Sequence, residues 1–142
     1  MNFNLTPKEN KQNRFLESCI NKGNNFEVEI IHWHMIDDEE KAKDISGIFG
    51  NECWNVYATI FEGHPLYNRL KDVQTDEYDK TMDNFPFDFH GGITYVDRHD
   101  NYIKLGDDYR HIGDEYYCKC KELPHDIADE AEELFKFMSE MK

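Results

Sequence analysis

A chain of 142 residues that is 14% aromatic is long enough to bury one core and too rich in packing side chains to be disordered, in spite of 32% charged residues. Thirty acidic against 16 basic side chains give a net charge of −14, a field that disfavours direct nucleic-acid binding and suits divalent cations or a basic protein partner. No run approaches the roughly 18 to 20 apolar residues of a membrane span and Met1 to Leu5 lacks a signal pattern, so the expectation is a cytoplasmic protein with no membrane partner.

The first predicted element is a helix. Thr6-Pro7-Lys8-Glu9 places a hydroxyl at N-cap, proline at N1 and glutamate at N3. Phe15, Leu16, Cys19 and Ile20 continue it as an apolar stripe, and Asn21 to Asn25 around Gly23 end it. Phe26 to Met35 alternates and predicts a strand on which His32 and His34 share a side with Ile30. Two histidines at i and i+2 make half a metal site, but no acidic or cysteine partner is near in sequence, and they read as partly buried or surface strand residues. Asp37 to Asp44 reads as a charged connection with a short helix. Cys53 to Phe61 is the next strand, and Glu62-Gly63-His64-Pro65-Leu66 is a turn that projects His64 from its end. Positions 67 to 84 read as a polar loop with a helical piece. Phe87 to Val96 and Tyr102 to Leu105 form a hairpin, Tyr116 to Lys121 a short strand. Pro124 to Met141 forms an amphipathic helix carrying Ile127, Ala131, Leu134, Phe135 and Met138. The sum is α+β: one domain over residues 1–142, an antiparallel sheet of about four to five strands with an N-terminal and a C-terminal helix packed on it.

The segment from Asp88 to Asp114 concentrates metal-binding chemistry. Asp88 and His90 alternate with Phe87 and Phe89 ahead of Gly91-Gly92, and Asp108, His111 and Asp114 recur every third residue. With His64 from the preceding turn, His90, Asp108 and His111 make a four-ligand nitrogen and oxygen set for Zn²⁺, Asp114 replacing a ligand or orienting a histidine by accepting its second N–H. Gly91 and Gly92 would let the backbone pass closely beneath the ion. Four protein ligands would make a structural staple; three and a water would make a hydrolytic centre with Glu62, Asp88 or Asp114 as base and Arg69, Arg98 or Arg110 for anion capture. Cys19, Cys53, Cys118 and Cys120 show no disulfide framework and read as thiols, with the Cys118-Lys119-Cys120 pair a lesser metal candidate.

Gly63-His64-Pro65, Asp88-Phe89-His90-Gly91-Gly92-Ile93-Thr94-Tyr95 and Gly106-Asp107-Asp108-Tyr109-Arg110-His111-Ile112-Gly113-Asp114 together resemble a family of small phage and prophage proteins with a GHP turn, a D-x-HGG-[LI]-T-[YF] strand and a G-x-D-x-x-H-x-G-D segment. The likeness covers about the middle 60 residues of this chain, and Asp107 departs from it by standing where relatives commonly carry an aromatic residue. In size and acidity the chain is also similar to phage-borne anti-CRISPR proteins that block a type II Cas nuclease. These resemblances imply a non-enzymatic zinc protein in the host bacterial cytoplasm. Its partner would be a basic nucleic-acid-binding host protein such as a Cas9-type nuclease, which it prevents from loading nucleic acid. Asp37 to Glu40, Asp76 to Asp79 and Asp126 to Glu133 are the acidic patches for such contact. The alternative is a zinc-dependent hydrolase of a small phosphate or nucleotide substrate.

Overall fold

Alternating apolar residues build the centre of one antiparallel sheet. The structure is a computed structural model that describes residues 3–7, 15–36 and 50–141. Its strands are β1 (Thr6–Pro7), β2 (Phe15–Lys22), β3 (Phe26–His34), β4 (Glu52–Phe61), β5 (Tyr95–Arg98) and β6 (Tyr102–Asp108). They lie side by side in the order β1-β2-β3-β4-β6-β5. Helices α1 (Pro65–Leu70) and α2 (Tyr78–Asn84) fill the connection from β4 to β5, and α3 (His125–Glu140) follows a short 3-10 turn at Tyr117–Lys119. The α+β architecture and the antiparallel pairing are as the pattern predicts, with six strands where about four to five are expected.

Even-numbered residues of β3 and β4 point to one face. Phe26, Val28 and Ile30 meet Trp54, Val56, Ala58 and Ile60 there, and Ile127, Ala131, Leu134 and Met138 of α3 close over them. Side chains two apart on a strand share a face, so this core is a direct consequence of period-two patterning on the sheet and 3.6-residue patterning on the helix. Because His32 and His34 continue the even series of β3, the same rule carries both imidazoles to the end of the core face.

The N-terminal helix is corrected. Phe15–Lys22 is a strand that pairs with β3 from Phe15↔Trp33 to Lys22↔Glu27, with a bulge between Phe15 and Glu17, and Thr6–Pro7 pairs in turn with Ser18 and Glu17. The stripe at Phe15, Leu16, Cys19 and Ile20 fits helical spacing, but the open edge of β3 offers a ladder of backbone hydrogen bonds to any segment that can lie extended, and tertiary pairing overrides a weak local propensity. Lys8 and Glu9 of the expected cap, and the expected connection at Asp37 to Asp44, lie outside the described residues.

Two further expectations change. Phe85 to Thr94 is not a strand: it turns at His90-Gly91, Thr94 N–H donates to the Gly106 carbonyl of β6, and the strand starts only at Tyr95. Tyr116 to Lys121 is not a strand but contains the 3-10 turn, with Cys118 buried beneath it. No described helix is long and apolar enough to cross a membrane.

Candidate metal centre

A hairpin-like antiparallel pair matches the last residues of one strand with the first of the next. His34 therefore sits opposite Glu52, and His32 opposite Trp54. On the core face this brings His32 Nε2 to 3.2 Å and His34 Nε2 to 3.0 Å from a single atom, Glu52 Oε1. On its other side His32 Nδ1 lies 2.9 Å from Glu17 Oε1 of β2. The His32 ring lies flat on the Trp54 indole at a centroid distance of 3.9 Å and an angle of 3°, and Trp54 is itself fixed by donating Nε1–H to the Cys120 carbonyl at 3.1 Å. The indole thus holds the imidazole plane and Glu17 holds its rotation.

The proton positions follow from these contacts. Glu17 accepts from His32 Nδ1–H, which in the neutral ring leaves the Nε2 lone pair facing the Glu52 carboxylate. The space between the two Nε2 atoms and Glu52 Oε1 can be filled by a proton on an imidazole nitrogen or by a cation. Burial by itself raises the Glu52 pKa, but the hydrogen bonds and charges of His32 and His34 outweigh it and hold the carboxyl below its ordinary range. Among the described residues, His32, His34 and Glu52 form a group whose ligand atoms all lie within 4.8 Å of one another and which could hold a metal ion. A tetrahedral shell with bonds of about 2.0 to 2.1 Å places its ligand atoms roughly 3.3 Å apart, and the 3.0 and 3.2 Å separations here are close to that edge. The Glu17–His32 contact is the carboxylate–histidine arrangement that orients metal-bound imidazoles.

The ligands proposed from sequence are placed differently. His64 stands apart from the rest. Gly63 takes φ +97, His64 is the N-cap of α1 and Pro65 fills the first turn, so the Gly-His-Pro turn is a helix start in which imidazole replaces the usual Ser or Asp cap. His64 Nδ1 accepts from Leu66 N–H at 3.1 Å and Nε2 donates to the Met138 carbonyl at 3.0 Å. Both nitrogens are committed to tying α1 to α3.

His90, Asp108, His111 and Asp114 do gather in the turn after β6. His90 Nε2 donates to Asp114 Oδ1 at 2.8 Å, while Asp114 Oδ2 accepts the His111 backbone N–H at 2.8 Å. Asp114 therefore has the orienting role. His111 Nε2 is buried 3.2 Å from Asp108 Oδ1 without making a hydrogen bond, and Asp108 accepts from Thr94 Oγ1 and from the Arg110 N–H. The His90 ring stacks on Tyr109 at 4.1 Å. Gly91, at φ +69, runs under the His111 ring, so closely that a Cβ would come within 2.7 Å of Nε2. The close backbone approach is real, and an imidazole occupies it.

Of the suggested bases, Asp88 is exposed beside a cavity and Glu62 lies at the turn after β4. Arg98 donates to the Lys71 carbonyl and Arg110 reaches the Gly50 carbonyl and Cys53 Sγ. Cys53 and Cys118 are buried free thiols, with burial pushing Cys53 up to about 11 against the pull of Arg110.

Sequence reasoning left His32 and His34 as strand residues without a ligand role, and it missed Glu52 and Glu17 altogether. The signal for Glu52 was present: a His-x-His near the end of one strand followed by a carboxylate at the start of the next, which antiparallel pairing brings together. Glu17 carried no such signal, because its segment reads as helix. No protein-family model, curated protein or solved structure matches the chain.

Proposed function

We propose that the chain holds a zinc ion on His32, His34 and Glu52, which staples β3 to β4, and that its acidic surface binds a basic nucleic-acid-handling protein and denies it nucleic acid. The general likeness in size and acidity to phage-borne anti-CRISPR proteins points to a host defence nuclease of the Cas9 type as that partner. The observation that carries the partner class is the outer face of α3. With Ile127, Ala131, Leu134 and Met138 turned inward, Asp126, Asp129, Glu132 and Glu133 are all exposed along consecutive turns. Such a face competes for the positive channel that a nuclease offers to phosphates, and steers encounter over a Debye length. The test is an order-of-addition cleavage assay. Protein added before the nuclease meets its guide and target suppresses cleavage, and addition after loading suppresses it much less. Equal inhibition in either order, or binding undiminished at about 0.5 M salt, contradicts the reading.

A second reading has its own support. Three protein ligands leave one tetrahedral position for water, the arrangement of two histidines and a glutamate in hydrolytic zinc sites, and zinc brings the pKa of that water toward neutrality. The hydrolase of a small phosphate or nucleotide substrate would then be centred on His32, His34 and Glu52. Phosphate release from a nucleotide panel that disappears in His34→Ala supports it; no release by the zinc-loaded protein removes it.

A further inference from the structure

A second group of acids lies away from the metal centre, under a groove of about 450 Å³ between α3 and the His90-Gly91 turn. Glu130, Asp126, Asp129 and Glu133 of α3 line one wall, and His90 and Tyr109 part of the other. No lysine or arginine is among its lining residues. Beneath it Asp107 points inward from β6 with no solvent exposure. Its carboxyl meets the Glu130 carboxyl and the Val56 and His90 backbone, and of these Glu130 and His90 line the groove.

This contact lacks a donor. Glu130 Oε2 is satisfied by the Tyr109 hydroxyl at 2.8 Å and the His90 N–H at 3.0 Å. Glu130 Oε1 and both oxygens of Asp107 are buried with no hydrogen-bond donor. Two carboxylates cannot face one another at this burial without a positive charge between them, since each uncompensated buried charge costs several kcal/mol. A shared proton meets the need in the empty groove. A cation meets it equally well, and the acidic groove that Glu130 lines supplies a negative field above the pair.

We propose that Asp107 and Glu130 form a second cation site, all oxygen in character, which takes a hard divalent ion, calcium in the first place, with groove water completing the shell. Oxygen ligands and an adaptable, water-completed shell select calcium over zinc, just as the imidazoles at the sheet end select zinc over calcium. The two sites share no ligand. Binding exchanges one species for another: Ca²⁺ enters between the carboxylates, and the proton they share leaves to solvent.

Calorimetric titration of the zinc-loaded protein with CaCl₂, in two buffers of different ionisation enthalpy near pH 7, reads both halves of the exchange. The expected result is one saturable site releasing about one proton per ion, weakened about tenfold or more in Asp107→Asn and in Glu130→Gln. The parallel Asp129→Asn variant should lose much less. Two variants are needed because either alone could disturb α3; retained near-ultraviolet dichroism in one of them is enough. Binding that survives both substitutions, or that releases no proton, assigns the ions to exposed acidic faces and overturns the proposal. So does the absence of binding up to about 10 mM Ca²⁺. None of these outcomes alters the zinc content, so this site and the zinc centre fail separately.

Discussion

Two clusters in this molecule each bring two histidines together with two carboxylates, yet they are wired differently. Beside the turn after β6 the contacts are one to one: His90 Nε2 bonds Asp114, and His111 Nε2 lies 3.2 Å from Asp108 without completing a hydrogen bond. At the end of β3 and β4 the pairing is two to one. His32 and His34 both turn Nε2 to Glu52 Oε1, and a further carboxylate, Glu17, takes the remaining His32 nitrogen. The His90 ring and the His111 backbone N–H, both bonded to Asp114, rigidify that turn. A two-to-one pairing gathers three ligand atoms around a common point, which is what a cation requires. Having metal-binding residue types in one place is therefore not enough; what counts is whether several ligand atoms converge on one point.

The largest effect should come from breaking the one-to-one cluster. Asp114 is buried and accepts two short hydrogen bonds, so Asp114→Ala should lower stability by about 2 to 4 kcal/mol, read from urea denaturation, while zinc content stays at the wild-type level. Loss of zinc in a variant that remains folded would mean that the turn is the metal site. A finer separation comes from the carboxylate behind His32. Glu17→Gln should weaken zinc about 10- to 100-fold in chelator competition, by loosening the ring it orients, and Asp114→Asn should leave that affinity unchanged.

The smallest expected effect concerns the facing carboxyls of Asp107 and Glu130, a pairing with no histidine at all. Burial first, and the Glu130 carboxyl second, raise Asp107 far above its ordinary 3.8. The folded chain thus keeps a proton that the unfolded chain sheds above that value, and stability declines as pH rises through the interval. Asp107→Asn removes this dependence. In calcium-free buffer it should raise stability by about 1 to 2 kcal/mol at pH 8 and by progressively less toward pH 4; a constant difference across the range would show that no proton is held there.

Much of this arrangement was legible in the sequence. The alternation in β3 and β4 and the stripe of α3 directly encode the two layers, because their buried faces are contiguous in period. The Asp88 to Asp114 residues are indeed neighbours, apart from the distant His64, whose role depended on a helix start that the Gly-His-Pro turn spells out only once imidazole is admitted as a cap. β2 was illegible for a physical reason: its pairing partner is another strand's edge, and its own residues satisfy a helical stripe equally well. Glu52 was missed because strand register is not written in either strand alone. It emerges when His34 and Glu52, 18 residues apart, become cross-strand partners. Asp107 is a similar case. Sequence reasoning assigned this carboxylate no role, and the structure turns it into the core against the Glu130 carboxyl and the Val56 and His90 backbone.

The most direct test of the two-to-one account is elemental analysis of untagged protein purified without chelator, as wild type and as His32→Ala, His34→Ala, His90→Ala and His111→Ala. About one zinc per chain, lost in the first two variants and kept in the last two, is the predicted result. Zinc lost from His90→Ala and His111→Ala but kept by the sheet-end variants, or no zinc in the wild type, would contradict it.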